Sequence, residues 1–230
     1  MTDNVDTIDY REIGGVAADS NKVLRNTYWL LSLTLIPTVL GAWFGIASGL
    51  SYYLSGGLGL IFFIAGTFGF VYAIEKNKDS VVGIAFLLAF TFFMGLMLSR
   101  LIAMVLGFKN GTELVMTAFG GTAGVFLAMA SLATVIKKDL SNMAKWLFVG
   151  VVVLMVASII NIFVGSSAGM MVISVLAIGI FSAFMLYDIK RIIDGGETNY
   201  ISATLALYMD AINVFQSLLA LLGIMGGEKD

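Results

Sequence analysis

Ala203-Thr204-Leu205-Ala206-Leu207-Tyr208-Met209-Asp210-Ala211-Ile212-Asn213-Val214-Phe215-Gln216-Ser217-Leu218-Leu219 is the stretch on which the fold turns. It lies within an apolar run from about 200 to 225, long enough for a helix to cross roughly 30 Å of hydrocarbon. Asp210 is the single charge in that run. A carboxylate at the centre of a membrane helix costs about 2.5 to 3.5 kcal/mol on insertion scales, so it normally faces a bundle interior or water and has a partner. Asp210, Asn213 and Ser217 follow the i, i+3, i+7 spacing of one helix face, with Gln216 beside them. A stripe of that kind cannot comfortably face lipid. The economical arrangement surrounds this helix with the rest of the chain.

Six further apolar runs lie at about 27–50, 57–74, 81–106, 112–136, 143–164 and 168–193. Only a helix or a closed barrel satisfies its own backbone in lipid. Barrel strands would alternate apolar and polar residues over about ten positions, whereas these runs are continuous. The expectation is an all-α integral membrane protein of seven transmembrane helices, six surrounding a central C-terminal helix. Residues 1–26 are expected to form a cytoplasmic polar tail, 27–225 the membrane domain and 226–230 a short C-terminal tail. The first segment lacks the basic start and short apolar stretch of a cleaved signal peptide.

Composition agrees and excludes several classes of function. Of 230 residues, 59% are hydrophobic and 12% charged, far from the roughly 25% charged residues of a soluble domain. A net charge of -2 offers no basic surface for nucleic acid. With no Cys and no His, zinc sites, thiol nucleophiles, disulfides and His-based triads are excluded. Carboxylates, amines, hydroxyls and amides remain.

The thirteen Lys and Arg residues set an orientation, because basic residues favour the cytoplasmic side. Seven spans place Arg11, Lys22, Arg25, Lys76, Lys78, Lys137, Lys138, Lys145, Lys190 and Arg191 on one side, and Arg100, Lys109 and Lys229 on the other. Ten against three predicts the N-terminus inside and the C-terminus outside. Gly120, Gly124 and Ala128, four apart on the fourth span, predict close helix packing through small residues. Pro37 is a candidate kink in the first span.

Asp188 is the second carboxylate inside apolar sequence, in Phe184-Met185-Leu186-Tyr187-Asp188. The short connection 194–199 makes the last two spans antiparallel. At 1.5 Å per residue, Asp188 lies about 9 Å and Asp210 about 16 Å from that connection, a difference that tilt and side-chain reach can close. Two close carboxylates do not readily both ionise in a poorly solvated site, so the pair is expected to respond to pH or to a cation. Calcium prefers six to eight oxygens, so a bound ion would need water or carbonyls besides Asp188 and Asp210. A purely structural pair is the alternative, with Lys190 or Arg191 as partners of Asp188. No catalytic residue is assigned. An intramembrane aspartyl protease would place Gly-x-Gly immediately before its second aspartate, where Leu207-Tyr208-Met209 stands here.

At these residues the chain resembles the Bax inhibitor-1, or transmembrane Bax inhibitor motif, family across its membrane region. The motifs are Leu186-Tyr187-Asp188, Leu207 through Phe215, Asn161-Ile162-Phe163 and Lys137-Lys138-Asp139-Leu140-Ser141. Asn21 through Tyr28 and Gly195-Gly196-Glu197-Thr198-Asn199-Tyr200 resemble, more narrowly, its bacterial YccA-like branch. The resemblance implies seven helices around a central seventh, with Asp188 and Asp210 as a pH-sensitive gate for calcium leak; calcium is then the transported ion, not a cofactor. Members with leak activity use an arginine at the cytoplasmic end of the second helix as a latch on the first aspartate. Glu75-Lys76-Asn77-Lys78 stands there instead, which makes Lys76 and Lys78 the candidate latch. The branch implies an inner-membrane modulator of an FtsH-type membrane protease, with the N-terminal tail accessible to that protease.

Overall fold

The computed structural model describes residues 10–53 and 56–227, and all regular structure in them is helical. The elements are α1 (Tyr10–Ala47), α2 (Leu50–Tyr53), α3 (Gly56–Lys76), α4 (Val81–Leu106), α5 (Gly111–Val135), α6 (Ser141–Val164), α7 (Ser167–Ile193) and α8 (Tyr200–Gly226). All but α2 are long and apolar enough to cross a membrane, and they match the seven apolar runs to within a few residues, α1 excepted at its start. The chain is a seven-span membrane protein. Residues 1–9 of the expected tail and 228–230 of the C-terminal segment lie outside the described residues.

Two boundaries depart from the sequence reading. α1 begins at Tyr10, inside the stretch assigned to the tail. A helix nucleated in the apolar run gains a hydrogen bond for each residue added, and Ser20 and Thr27 are buried against the bundle, so the polar stretch packs along part of its length. At the other end α1 stops at Ala47 because Gly49 adopts φ +71°, a conformation open to glycine. Pro37 lies within a continuous α1. The adjoining Thr34 and Thr38 hydroxyls bond the carbonyls of Leu31 and Thr34, at 2.5 and 2.8 Å.

The most extensive helix pair is α1 against α4, and glycine makes it close. A Cβ at Gly41 would strike the Phe92 carbonyl, one at Gly95 the Thr38 carbonyl, and one at Gly45 the Ser99 side chain. Gly41 with Gly45, and Gly95 with Ser99, are small residues four apart on facing helices, the spacing that lets membrane helices touch. The pair then packs on α8, which also packs against α5, α7 and the edge of α3. α6 reaches the bundle through α7.

Gly120, Gly124 and Ala128 do not make the contact expected of them. All three are exposed, and nothing stands within 4 Å of a Cβ built on either glycine. α5 turns inward the neighbouring face carrying Leu114, Ala118 and Ala133, and a Cβ on Gly121 would meet Leu218 of α8. A four-residue spacing drifts about 40° around the helix per step, and the spacing alone does not say which face is buried.

α6 starts after Asp139, whose Oδ1 accepts the Ser141 N–H at 2.8 Å and the Ser141 hydroxyl at 2.5 Å. These bonds hold the Asp139 carboxyl below its ordinary value. A lowered folded-state value contributes stability above the unfolded value, about pH 4, and loses it as pH falls through the folded one. The gap in melting temperature between wild type and Asp139→Ala should therefore narrow in detergent as pH drops below about 4. Gly95→Leu should lower the melting temperature by an overpacking cost of roughly 1 to 3 kcal/mol, while Gly120→Leu, which enters open space, should leave it unchanged; thermal unfolding in the same detergent measures both.

Candidate functional site: two aspartates on adjoining helices beneath a braced loop

Asp188 lies five residues before the end of α7 and Asp210 ten residues beyond the start of α8. The two helices run antiparallel and bring the two carboxyls close enough to interact. Asp210 is 5% exposed; Asp188 is half-buried. The Oδ2 atom of Asp210 is buried without a hydrogen-bond partner. Two close carboxyls in a poorly solvated place do not readily both ionise. Among the described residues no group of three or more carboxylates could hold a metal ion, and two carboxyls fall short of calcium's oxygen count.

The expected partners of Asp188 are engaged elsewhere. Lys190 pairs with Asp194, and Arg191 pairs with Glu197 at 3.2 Å. Arg191 Nε also donates to the Gly196 carbonyl at 3.3 Å. The structure brings neither Lys76 nor Lys78 to Asp188: Lys78 bonds Glu75 at 3.1 Å, and Lys76 stands over the Tyr72 ring. Both lysines have an acid or an aromatic ring within one helical turn, and a local partner costs less side-chain ordering than a distant one.

Along the polar stripe, Ser217 is buried and Asn213 is half-buried, donating to the Met209 carbonyl at 2.7 Å. Gln216 is exposed. It stands six positions after Asp210, about 120° around the helix, and so belongs to another face.

Two residues central to this region escaped the sequence reading. Tyr208 is 2% exposed; its hydroxyl shares a hydrogen bond with Thr38 Oγ1 at 2.9 Å and donates to the Thr91 carbonyl at 3.4 Å, tying α8 to α1 and α4. A tyrosine amid apolar residues signals such a polar handle, because a buried hydroxyl needs a partner. Asn199 caps α8: Oδ1 accepts the N–H groups of Ile201 and Ser202 at 2.9 and 3.2 Å. Its Nδ2 donates to the Lys78 carbonyl at 3.1 Å and to Asp79 Oδ1 at 2.8 Å. One amide thus joins the α7–α8 and α3–α4 connections. Asparagine immediately before an apolar run is the readable cap signal; its second set of bonds is not.

The family model described as inhibitor of apoptosis-promoting Bax1 matches residues 20–227. A protein of Vibrio cholerae described as an uncharacterized membrane protein is 38% identical over 215 residues, covering 91% of this chain and 92% of its own length. The Escherichia coli K12 protein named modulator of FtsH protease YccA is 37% identical over 204 residues, covering 89% and 90%. Its counterpart in E. coli O6:H1, named inner membrane protein YccA, matches to the same extent.

Tyr208→Phe should destabilise the bundle by about 0.6 kcal/mol, the average of interhelical hydrogen bonds in membranes. Asn199→Ala should cost about 1 kcal/mol through the lost cap and raise amide exchange at residues 77–80. Asn199→Asp, which keeps the acceptor and loses the donors, should raise that exchange with a smaller loss of stability; hydrogen exchange and thermal unfolding separate the two roles.

Proposed function

Because the chain belongs to the Bax inhibitor-1 family, the inhibitors of apoptosis-promoting Bax1, we propose that it is a multi-pass inner-membrane protein that modulates an FtsH-type membrane protease. The observation that carries this reading is the 37% identity, over nine-tenths of both chains, to a protein named for modulating FtsH. On this reading the N-terminus and the α3–α4, α5–α6 and α7–α8 connections face the cytoplasm, the side that basic residues favour.

A second activity is favoured by the carboxyl contact. The approach of Asp188 to Asp210, with the buried, unpartnered Oδ2 of Asp210, supports a pH-sensitive leak for calcium or another cation. While the pair shares a proton it is closed to a cation by its own contact. Loss of that proton leaves two like charges that repel each other and attract a cation. Calcium is cargo here. The enzyme reading gains no support from the bulky Leu207-Tyr208-Met209 ahead of Asp210, and the purely structural reading is the one the flux assay below would favour if pH dependence is absent.

Two measurements test these activities separately. The protein should co-purify with an FtsH-type protease and slow degradation of a membrane substrate by it in shared proteoliposomes; undiminished degradation would exclude the modulator role. Reconstituted alone, the protein should pass calcium at a rate that changes with pH. Asp188→Asn and Asp210→Asn should each flatten that dependence, and a wild-type rate independent of pH, or an unaltered profile in both variants, would exclude the gate.

A further inference from the structure

Lys137, Lys138 and Lys145 flank the α5–α6 connection, are exposed, and have neither hydrogen bond nor ion pair among the described residues. Other cations at this end of the bundle are held: Lys78 by Glu75, Lys190 by Asp194, Arg191 by Glu197, and Lys76 over Tyr72. Lys22 and Arg25 are likewise exposed, but they follow Asp19 on α1. The one acid within 137–145 is Asp139, whose Oδ1 is occupied by the backbone and hydroxyl of Ser141.

Depth identifies what these lysines meet. α6 begins at Ser141, so Lys145 lies about 6 Å inside the helix and the other two lie just before it. Trp146, 76% exposed, and Phe148 stand beside Lys145, and tryptophan settles at the boundary between headgroups and hydrocarbon. Below Lys145, at helical spacing, run Val149, Val152 and Val156, all exposed. α6 packs on α7 through the opposite side, where a Cβ on Gly150 would meet Ile180 and Leu154 is buried. A cationic top over an apolar stripe, at the level of the lipid phosphates, complements one amphiphile.

We infer that Lys137, Lys138 and Lys145 form a headgroup site for an anionic phospholipid of the phosphatidylglycerol kind, whose chains lie along Val149, Val152 and Val156 beside Trp146. An acidic protein segment would pair with the lysines and leave Trp146 and the valines without a partner, so the lipid accounts for more of the surface. Juxtamembrane lysines attract anionic headgroups by about 1 kcal/mol each, and that attraction weakens with salt.

The test uses the full chain with Trp29→Phe and Trp43→Phe, leaving Trp146 as the single fluorophore of its type, in vesicles containing trace brominated lipid. Brominated phosphatidylglycerol should quench Trp146 more strongly than brominated phosphatidylcholine, and raised salt should reduce the difference. Each lysine changed to glutamine should weaken the preference roughly fivefold, and all three about a hundredfold. Lys145→Arg should retain it, as should the pair Lys22→Gln and Arg25→Gln. Equal quenching by the two lipids would overturn the site, as would an undiminished preference in the triple variant. So would a preference abolished equally by the Lys22 and Arg25 changes, since that reports a diffuse surface potential. Emission that answers to a soluble polyglutamate peptide and not to the lipid would assign the surface to a protein partner instead.

Discussion

Hydrocarbon offers no partner to a carboxyl, and Asp210 lies ten residues along the last helix, well inside it. Once that residue must be enclosed, α8 cannot sit at the edge of the bundle, and α1, α4, α5 and α7 close around it. The second aspartate then has a reason for its place. On an antiparallel neighbour, Asp188 brings a second carboxyl close to Asp210, so the two polar groups share one region where water is scarce. The arrangement leaves one oxygen of Asp210 unanswered, so the burial is tolerated more than completed.

Around that centre the bundle is held unequally. The backbones of α1 and α4 touch through Gly41 and Gly95, and Tyr208 bonds both helices from α8. These three helices are tied directly to one another, and Asp188 and Asp210 lie where α8 meets α7. At the loop end, Asn199 and the Arg191–Glu197 pair keep the start of α8 and the end of α7 in register.

The spans were legible because membrane thickness imposes a length that composition displays directly, and Asp188 and Asp210 stood out as charges where apolar residues belong. Which face each helix buries was less so. Gly120, Gly124 and Ala128 have the spacing of a packing seam and face outward, while Gly41 and Gly45, with the same spacing, carry the tightest crossing. Nothing local separates the two cases, because burial depends on the neighbour that arrives later in the chain. Gln216 went astray by a similar margin: adjacency in sequence placed it with the stripe, and 100° of rotation per residue took it away. The partners of Lys78, Lys190 and Arg191 lie within a few residues of each, and weighing nearby acids before distant ones would have found them.

The position of α6 bears on how the protein is made. It is the most apolar of the seven spans, and little of it is buried within the protein. During synthesis it emerges before α7, the helix it rests on, so for a time it has lipid alone for a neighbour. Its composition suits it to that interval: as an autonomous span it can partition into the bilayer first and wait for α7 to dock. α8 is the opposite case, since its carboxyl makes it unfit to linger in lipid. Coming last, it enters a ring of helices already able to receive it, and the order of the chain thus doubles as the order of assembly.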